Sequence, residues 1–138
     1  MFKLPCVLLV DDDDTTNYLN QLLFNRLGVA ETLLVALNGQ DALNQLQVCD
    51  TPQGPPFPSL ILLDMKMPVM DGFEFLEAYV QLPAAQRESV LIMLTTSLNP
   101  QDVVRMQDLP ITGFLTKPLT KDKIYEVLHT HFGHPLPE

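Results

Sequence analysis

Positive charge is scarce in this chain. Eight Lys and Arg residues stand against seventeen Asp and Glu, a formal charge of −9. Such an acidic chain repels phosphate backbones, and no basic patch with interleaved aromatics offsets the repulsion, which argues against direct nucleic-acid binding. Long apolar runs are missing too. None approaches the roughly 20 residues that a membrane helix needs. The opening MFKLPCVLLVDDDD does not read as a secretory leader, because its apolar run, Val7 to Val10, is short and ends in four acids. Cysteine is limited to Cys6 and Cys49, whose spacing suits neither a metal nor a redox pair. Two reduced thiols in a cytoplasmic protein is the simple reading. There is no Walker A loop and no internal repeat. The 138 residues suit one domain, with a core over about residues 6–132.

What is present is a set of five short apolar runs: Cys6–Val10, Thr32–Ala36, Leu60–Leu63, Val90–Leu94 and Thr112–Leu115. Each has strand length and mostly lacks period-2 alternation, the pattern of strands buried on both faces of a parallel sheet. Helical spacing fills the stretches between them. Leu19, Leu22, Leu23, Phe24 and Leu27 form one apolar stripe; Phe73, Phe75, Leu76, Tyr79 and Val80 form a second; Ile124, Val127 and Leu128 form a third. Asp71, Asn99 before Pro100, and Thr120 read as helix caps. Gly28 and Gly133 read as helix ends. Strand and helix thus alternate five times, which implies a parallel sheet covered on both sides. Thr51 to Ser59 (TPQGPPFPS) reads as a stiff surface loop.

The polar residues fall at the ends of the predicted strands. Asp11 and Asp12 end the first, Asp64 the third, Thr95 and Thr96 the fourth, and Lys117 the fifth. In an all-parallel sheet these ends share one edge, the edge where open α/β sheets bind ligands. Carboxylates brought this close repel one another unless a cation intervenes. Hard oxygen ligands without neighbouring Cys or His select Mg²⁺ or Mn²⁺ over zinc. A lysine and a threonine hydroxyl beside them suit the oxygens of a transferring phosphoryl group. A carboxylate in that setting can itself act as the nucleophile.

The segments VLLVDDD, LILLDMKMPVMDGFEFL, LIMLTTS and GFLTKPL, in this order and spacing, together resemble the receiver domain of two-component response regulators. The resemblance covers about Val7 to Phe132. It implies a flavodoxin-like doubly wound (βα)5 fold with strand order 2-1-3-4-5. It implies Asp64 as phosphoacceptor and Asp12 as direct Mg²⁺ ligand. Asp11 would assist, and the backbone carbonyl of Lys66 would be a third protein ligand. Thr95 resembles the switch hydroxyl, Lys117 the active-site lysine that pairs with the acceptor, and Phe114 the switch aromatic. Lys117–Pro118 resembles a dipeptide that is usually cis in this family. The Lys66 side chain either points to solvent or reaches the phosphoryl group.

By that resemblance the chain is a stand-alone phosphoacceptor switch, without an output domain, and not a turnover enzyme. Its donor would be a sensor histidine kinase or a histidine phosphotransfer protein. Its output would be a downstream protein contact on the surface made by the helix after Pro100, the fifth strand and the last helix, and pairing of two copies is compatible with this. Val103, Val104 and Met106 on that helix either pack inward or face a partner. A constitutive binding module is the alternative, against which the intact Asp12, Asp64, Thr95 and Lys117 set argues. A phosphatase of the haloacid dehalogenase type would want an acid at position 66, where Lys stands. A flavin carrier would want a Ser/Thr/Gly-rich loop where four acids follow the first strand. His129, His131 and His134 have spacings that make no ligand face.

Overall fold

The computed structural model describes residues 3–49, 52, 54–65, 67–82, 89–96, 100, 101, 104 and 111–133. Its elements follow in the order β1 (Val7–Val10), α1 (Asp14–Leu27), β2 (Leu33–Ala36), α2 (Gly39–Val48), β3 (Leu60–Asp64), α3 (Gly72–Tyr79), β4 (Val90–Thr95), β5 (Gly113–Thr116) and α4 (Lys121–Phe132). Pro100, Gln101 and Val104 are helical, as expected of the segment after Asn99; Asn99, Val103 and Met106 lie outside the described residues, and Val104 is exposed.

All strand pairs are parallel, and the sheet order is β2-β1-β3-β4-β5. This is the flavodoxin-like doubly wound order that the motifs implied. The missing alternation has its cause in the two covered faces. Leu8, Val10, Ile61, Leu63, Leu91 and Met93 point into one core, beneath Leu46 of α2 and Phe73, Phe75, Leu76 and Tyr79 of α3. Their strand neighbours Val7, Leu9, Leu60, Leu62, Ile92 and Leu94 point into the other core, beneath Phe24 of α1 and Ile124, Val127 and Leu128 of α4. Successive side chains alternate across a strand, so a strand apolar at every position is one with no solvent face.

The caps stand where the sequence put them. Asp71 accepts from the Glu74 amide, and the Glu74 carboxylate accepts from the Asp71 amide, a reciprocal capping box. Thr120 accepts from the Lys123 amide at the start of α4. Gly28 sits at φ 64, where its N–H donates to Phe24 O and closes α1.

The face of α1 differs from the predicted stripe. Phe24 is fully buried, and Leu23 and Leu27 pack against the core, but Leu19 (57% exposed) and Leu22 (43%) face solvent. At 3.6 residues per turn, Asn17, Asn20, Phe24 and Leu27 share one face. That face lies on the sheet and buries both asparagines.

The Pro-rich stretch is irregular at its described positions, as expected. Phe57 anchors it on the α2–α3 side of the core, and Ser89 Oγ donates to Pro58 O at 2.6 Å. Among the described residues no helix is long and apolar enough to cross a membrane.

Candidate functional site

Each strand delivers its polar residue to the carboxyl edge by ladder geometry. Asp11 follows β1, and its N–H still donates to Ala36 O (3.1 Å). Asp64 ends β3, paired in register with Leu94, and the next amide, Met65 N–H, donates to Leu94 O (3.2 Å). Thr95 ends β4 beside Thr116, and Lys117 N–H donates to Thr95 O (2.7 Å). Asp11, Asp64 and Thr95 are all buried, whereas Thr96 is exposed.

The ammonium of Lys117 reaches Asp11 Oδ2 at 2.7 Å and Asp64 Oδ1 at 3.3 Å. The sequence expectation paired this lysine with the acceptor position. The structure gives the shorter bond to Asp11, the more deeply buried carboxylate of the two, whose charge has most need of a partner. Burial alone would lower the Lys117 pKa, but its hydrogen bond to the Asp11 carboxylate and the charge of Asp64 outweigh it. The net position lies above the ordinary lysine value. Asp13 caps α1 by accepting from the amide and hydroxyl of Thr16, and that hydroxyl bond holds its carboxyl below the usual range.

Asp12 is exposed beside this pair. Carboxylate oxygens of Asp11, Asp12 and Asp64 all lie within 4.8 Å of one another. Three carboxylates against one ammonium leave two negative charges on a set of hard oxygen donors. That set fits a hard divalent cation, and Mg²⁺ in particular, which is bound through few carboxylates and retains water. Lys66, expected to add a backbone carbonyl, lies outside the described residues.

The loop leaving Asp64 is tightly folded. Met70 N–H donates to Pro68 O (2.7 Å) around Val69, whose φ is 68, a γ-turn with a β-branched residue in the left-handed region. Gly39 N–H, at the start of α2, donates to Met70 O (2.8 Å). Gly72 opens α3 directly over the strand end, where a Cβ would lie 2.7 Å from Asp64 O. Lys117–Pro118 is cis, as the resemblance implied. Phe114, the expected switch aromatic, is 41% exposed on β5 and is not core filler.

Two contributors escaped the sequence reading. Gly72 is one, because its lack of a Cβ lets α3 approach the end of β3 at Asp64. Asn17 donates from Nδ2 to Asp11 O at 2.8 Å. Its helical spacing with Asn20 and Phe24 is the signal that could have placed it on the inner face of α1.

Comparison with known proteins agrees with this geometry. Residues 7–129 match the response regulator receiver domain family. The chain is 34% identical to response regulator Rcp1 of Synechocystis over 111 residues, covering 80% of this chain and 75% of that protein. It is 33% identical over 122 residues to two-component response regulator 24 of Arabidopsis thaliana, covering 88% and 80%. A two-component response regulator from Cytophaga hutchinsonii has a similar solved structure, with TM-score 0.81 and 26% identity, covering 96% of this chain and 99% of that one.

Proposed function

This chain belongs to the response regulator receiver domain family of two-component signalling, and from that premise we propose that it accepts a phosphoryl group on Asp64 and so switches a protein-binding surface. The observation that carries the reading is the contact of Lys117 with both Asp11 (2.7 Å) and Asp64 (3.3 Å) at the sheet edge.

In the proposed reaction an Asp64 carboxylate oxygen attacks the phosphorus of a phosphohistidine on a sensor kinase or phosphotransfer protein. The P–N bond breaks, the imidazole leaves with its electron pair, and an acyl phosphate forms on Asp64. Lys117 is placed to follow the growing negative charge on the phosphoryl oxygens. Asp11, Asp12, Asp64 and the Lys66 carbonyl would hold Mg²⁺, which supplies charge neutralisation at those same oxygens. The burial of Asp64 restricts water around the acceptor. Exposed Leu19 on α1 lines, with Leu23, Leu119, Lys117 and Pro118, a cavity of about 180 Å³, an apolar seat for the donor beside the acceptor.

The response begins at Thr95, whose backbone oxygen is bonded to the Lys117 amide. Its hydroxyl turns to the new phosphoryl group, and exposed Phe114 on the adjoining strand rotates inward as the other half of the switch. The surface around β5 and α4 then presents a changed face to its target in the cytoplasm.

Incubation with acetyl phosphate and Mg²⁺, followed by intact-mass measurement, tests this. The wild type should gain one phosphoryl group, while Asp64→Ala and a sample treated with a chelator should gain none. A wild-type mass indistinguishable from the Asp64→Ala control would instead favour a constitutive binding module.

A further inference from the structure

We propose that Asn17 is a positioning residue that aims the carboxylate of Asp12 at the cation; the inference rests on the metal-dependent reading above. Asn17 is 3% exposed, on the inner face of α1. Its Nδ2 donates 2.8 Å to the carbonyl of Asp11. That carbonyl belongs to the peptide joining Asp11 to Asp12, so holding it fixes the backbone from which the Asp12 side chain projects. Beyond β1 the ladder adds one bond, Asp11 N–H to Ala36 O, and the pairing register with both neighbours ends at Val10, so the Asp11 carbonyl depends on Asn17.

The turn from β1 into α1 is closed from two sides. The Asp11 carboxylate accepts from Asp13 N–H at 2.9 Å, and the Asn17 amide donates back to the Asp11 carbonyl. Asn17 is itself held in the helix by its own N–H to Asp13 O at 3.0 Å. The amide orientation follows from chemistry, since the opposite one would set an acceptor oxygen against the Asp11 carbonyl.

Packing does not account for an asparagine here. Among the described residues its Oδ1 is buried without a hydrogen-bond partner, a cost that an apolar side chain of similar size would avoid. The amide therefore serves the Asp11–Asp12 peptide at the expense of the core. Groups that orient metal ligands in this way typically carry 10- to 100-fold in metal affinity.

The test is a calorimetric Mg²⁺ titration of the full chain and its Asn17→Leu and Asn17→Ala variants, with melting temperatures measured alongside. The Mg²⁺ dependence of the acetyl phosphate reaction adds a split between half-saturating Mg²⁺ and the rate at saturation. Asn17→Leu should fold with a melting temperature no lower than that of the wild type, bind Mg²⁺ about 10-fold or more weakly, and recover its rate when Mg²⁺ is raised. Asn17→Ala should lose the same affinity despite its smaller side chain. Mg²⁺ affinity equal to wild type in either folded variant overturns the role of Asn17 and leaves the phosphoacceptor reading standing. A wild type that binds no Mg²⁺ defeats that reading itself, and the inference with it.

Discussion

The body of the sheet and its carboxyl edge are built on opposite rules. In the body, every residue of β1 and β3 short of Asp64 is apolar and buried, and helices cover both faces. At the edge, three of the five buried polar residues among those described (Asp11, Asp64 and Thr95) converge, and a fourth, Asn17, bonds the first of them. Stability comes from the body by apolar burial. The edge concentrates groups that are costly to bury, and it needs a lysine to hold two of them together. Chemistry in this fold is placed where the ladder stops and the backbone no longer demands an apolar neighbour.

Substitutions in the two regions should therefore separate stability from reactivity. Phe75→Ala removes a fully buried ring from the body, tilted against Tyr79 with ring centroids 5.9 Å apart. It should cost about 3–5 kcal/mol in denaturant unfolding. The fraction that remains folded should still accept a phosphoryl group, and an intact fold with lost acceptance would break the comparison. Gly72→Ala sits at the seam between the regions. Its Cβ would meet Asp64 O at 2.7 Å, so α3 or the strand end must shift. Overpacking of this kind costs about 1–3 kcal/mol, and here the rate of acetyl phosphate labelling should fall as well.

Val69 sharpens the contrast, because the edge carries strain that the body does not. It is a β-branched residue at φ 68, with its side chain 79% exposed. Val69→Gly should stabilise the chain by about 0.5–1 kcal/mol, the relieved left-handed strain exceeding the added freedom of the unfolded chain. A drop in unfolding midpoint would contradict this.

The smallest effect concerns pH. The folded-state pKa of Lys117 lies above that of an ordinary lysine. Its ion pairs therefore contribute fully below about pH 10.4, the unfolded value, and are lost as pH rises through the folded one. The stability difference between wild type and Lys117→Gln should hold constant through the neutral and mildly alkaline range and shrink above it.

Much of this was legible in the chain. The five apolar runs located the strands to within a residue or two, because strands covered on both faces leave a continuous apolar signal. Asp71, Thr120, Gly28 and Gly133 marked helix ends through local chemistry that depends on few neighbours. Asp11, Asp64, Thr95 and Lys117 could be brought together because strand ends in a parallel sheet share an edge. The inner face of α1 was not legible. Hydropathy favoured Leu19 and Leu22, but the helix docks through Asn17, Asn20 and Phe24. The competing demand is a backbone carbonyl three-dimensionally adjacent and six residues away, which no periodicity encodes. The need for glycine at position 72 likewise depends on how closely a helix and a strand end approach, a tertiary quantity.

The Pro-rich connector enters β3 at Leu60, and Asp64 leaves from the other end of that strand. Four rises of about 3.3 Å each put roughly 13 Å of sheet between them. Pro52 and Pro56 are exposed, while Phe57 and the Ser89–Pro58 bond fasten the downstream part. A fluorophore or affinity handle grafted ahead of Phe57 would ride at the end of the sheet away from Asp64, so labelling there offers a way to watch the proposed phosphotransfer without touching the carboxyl edge.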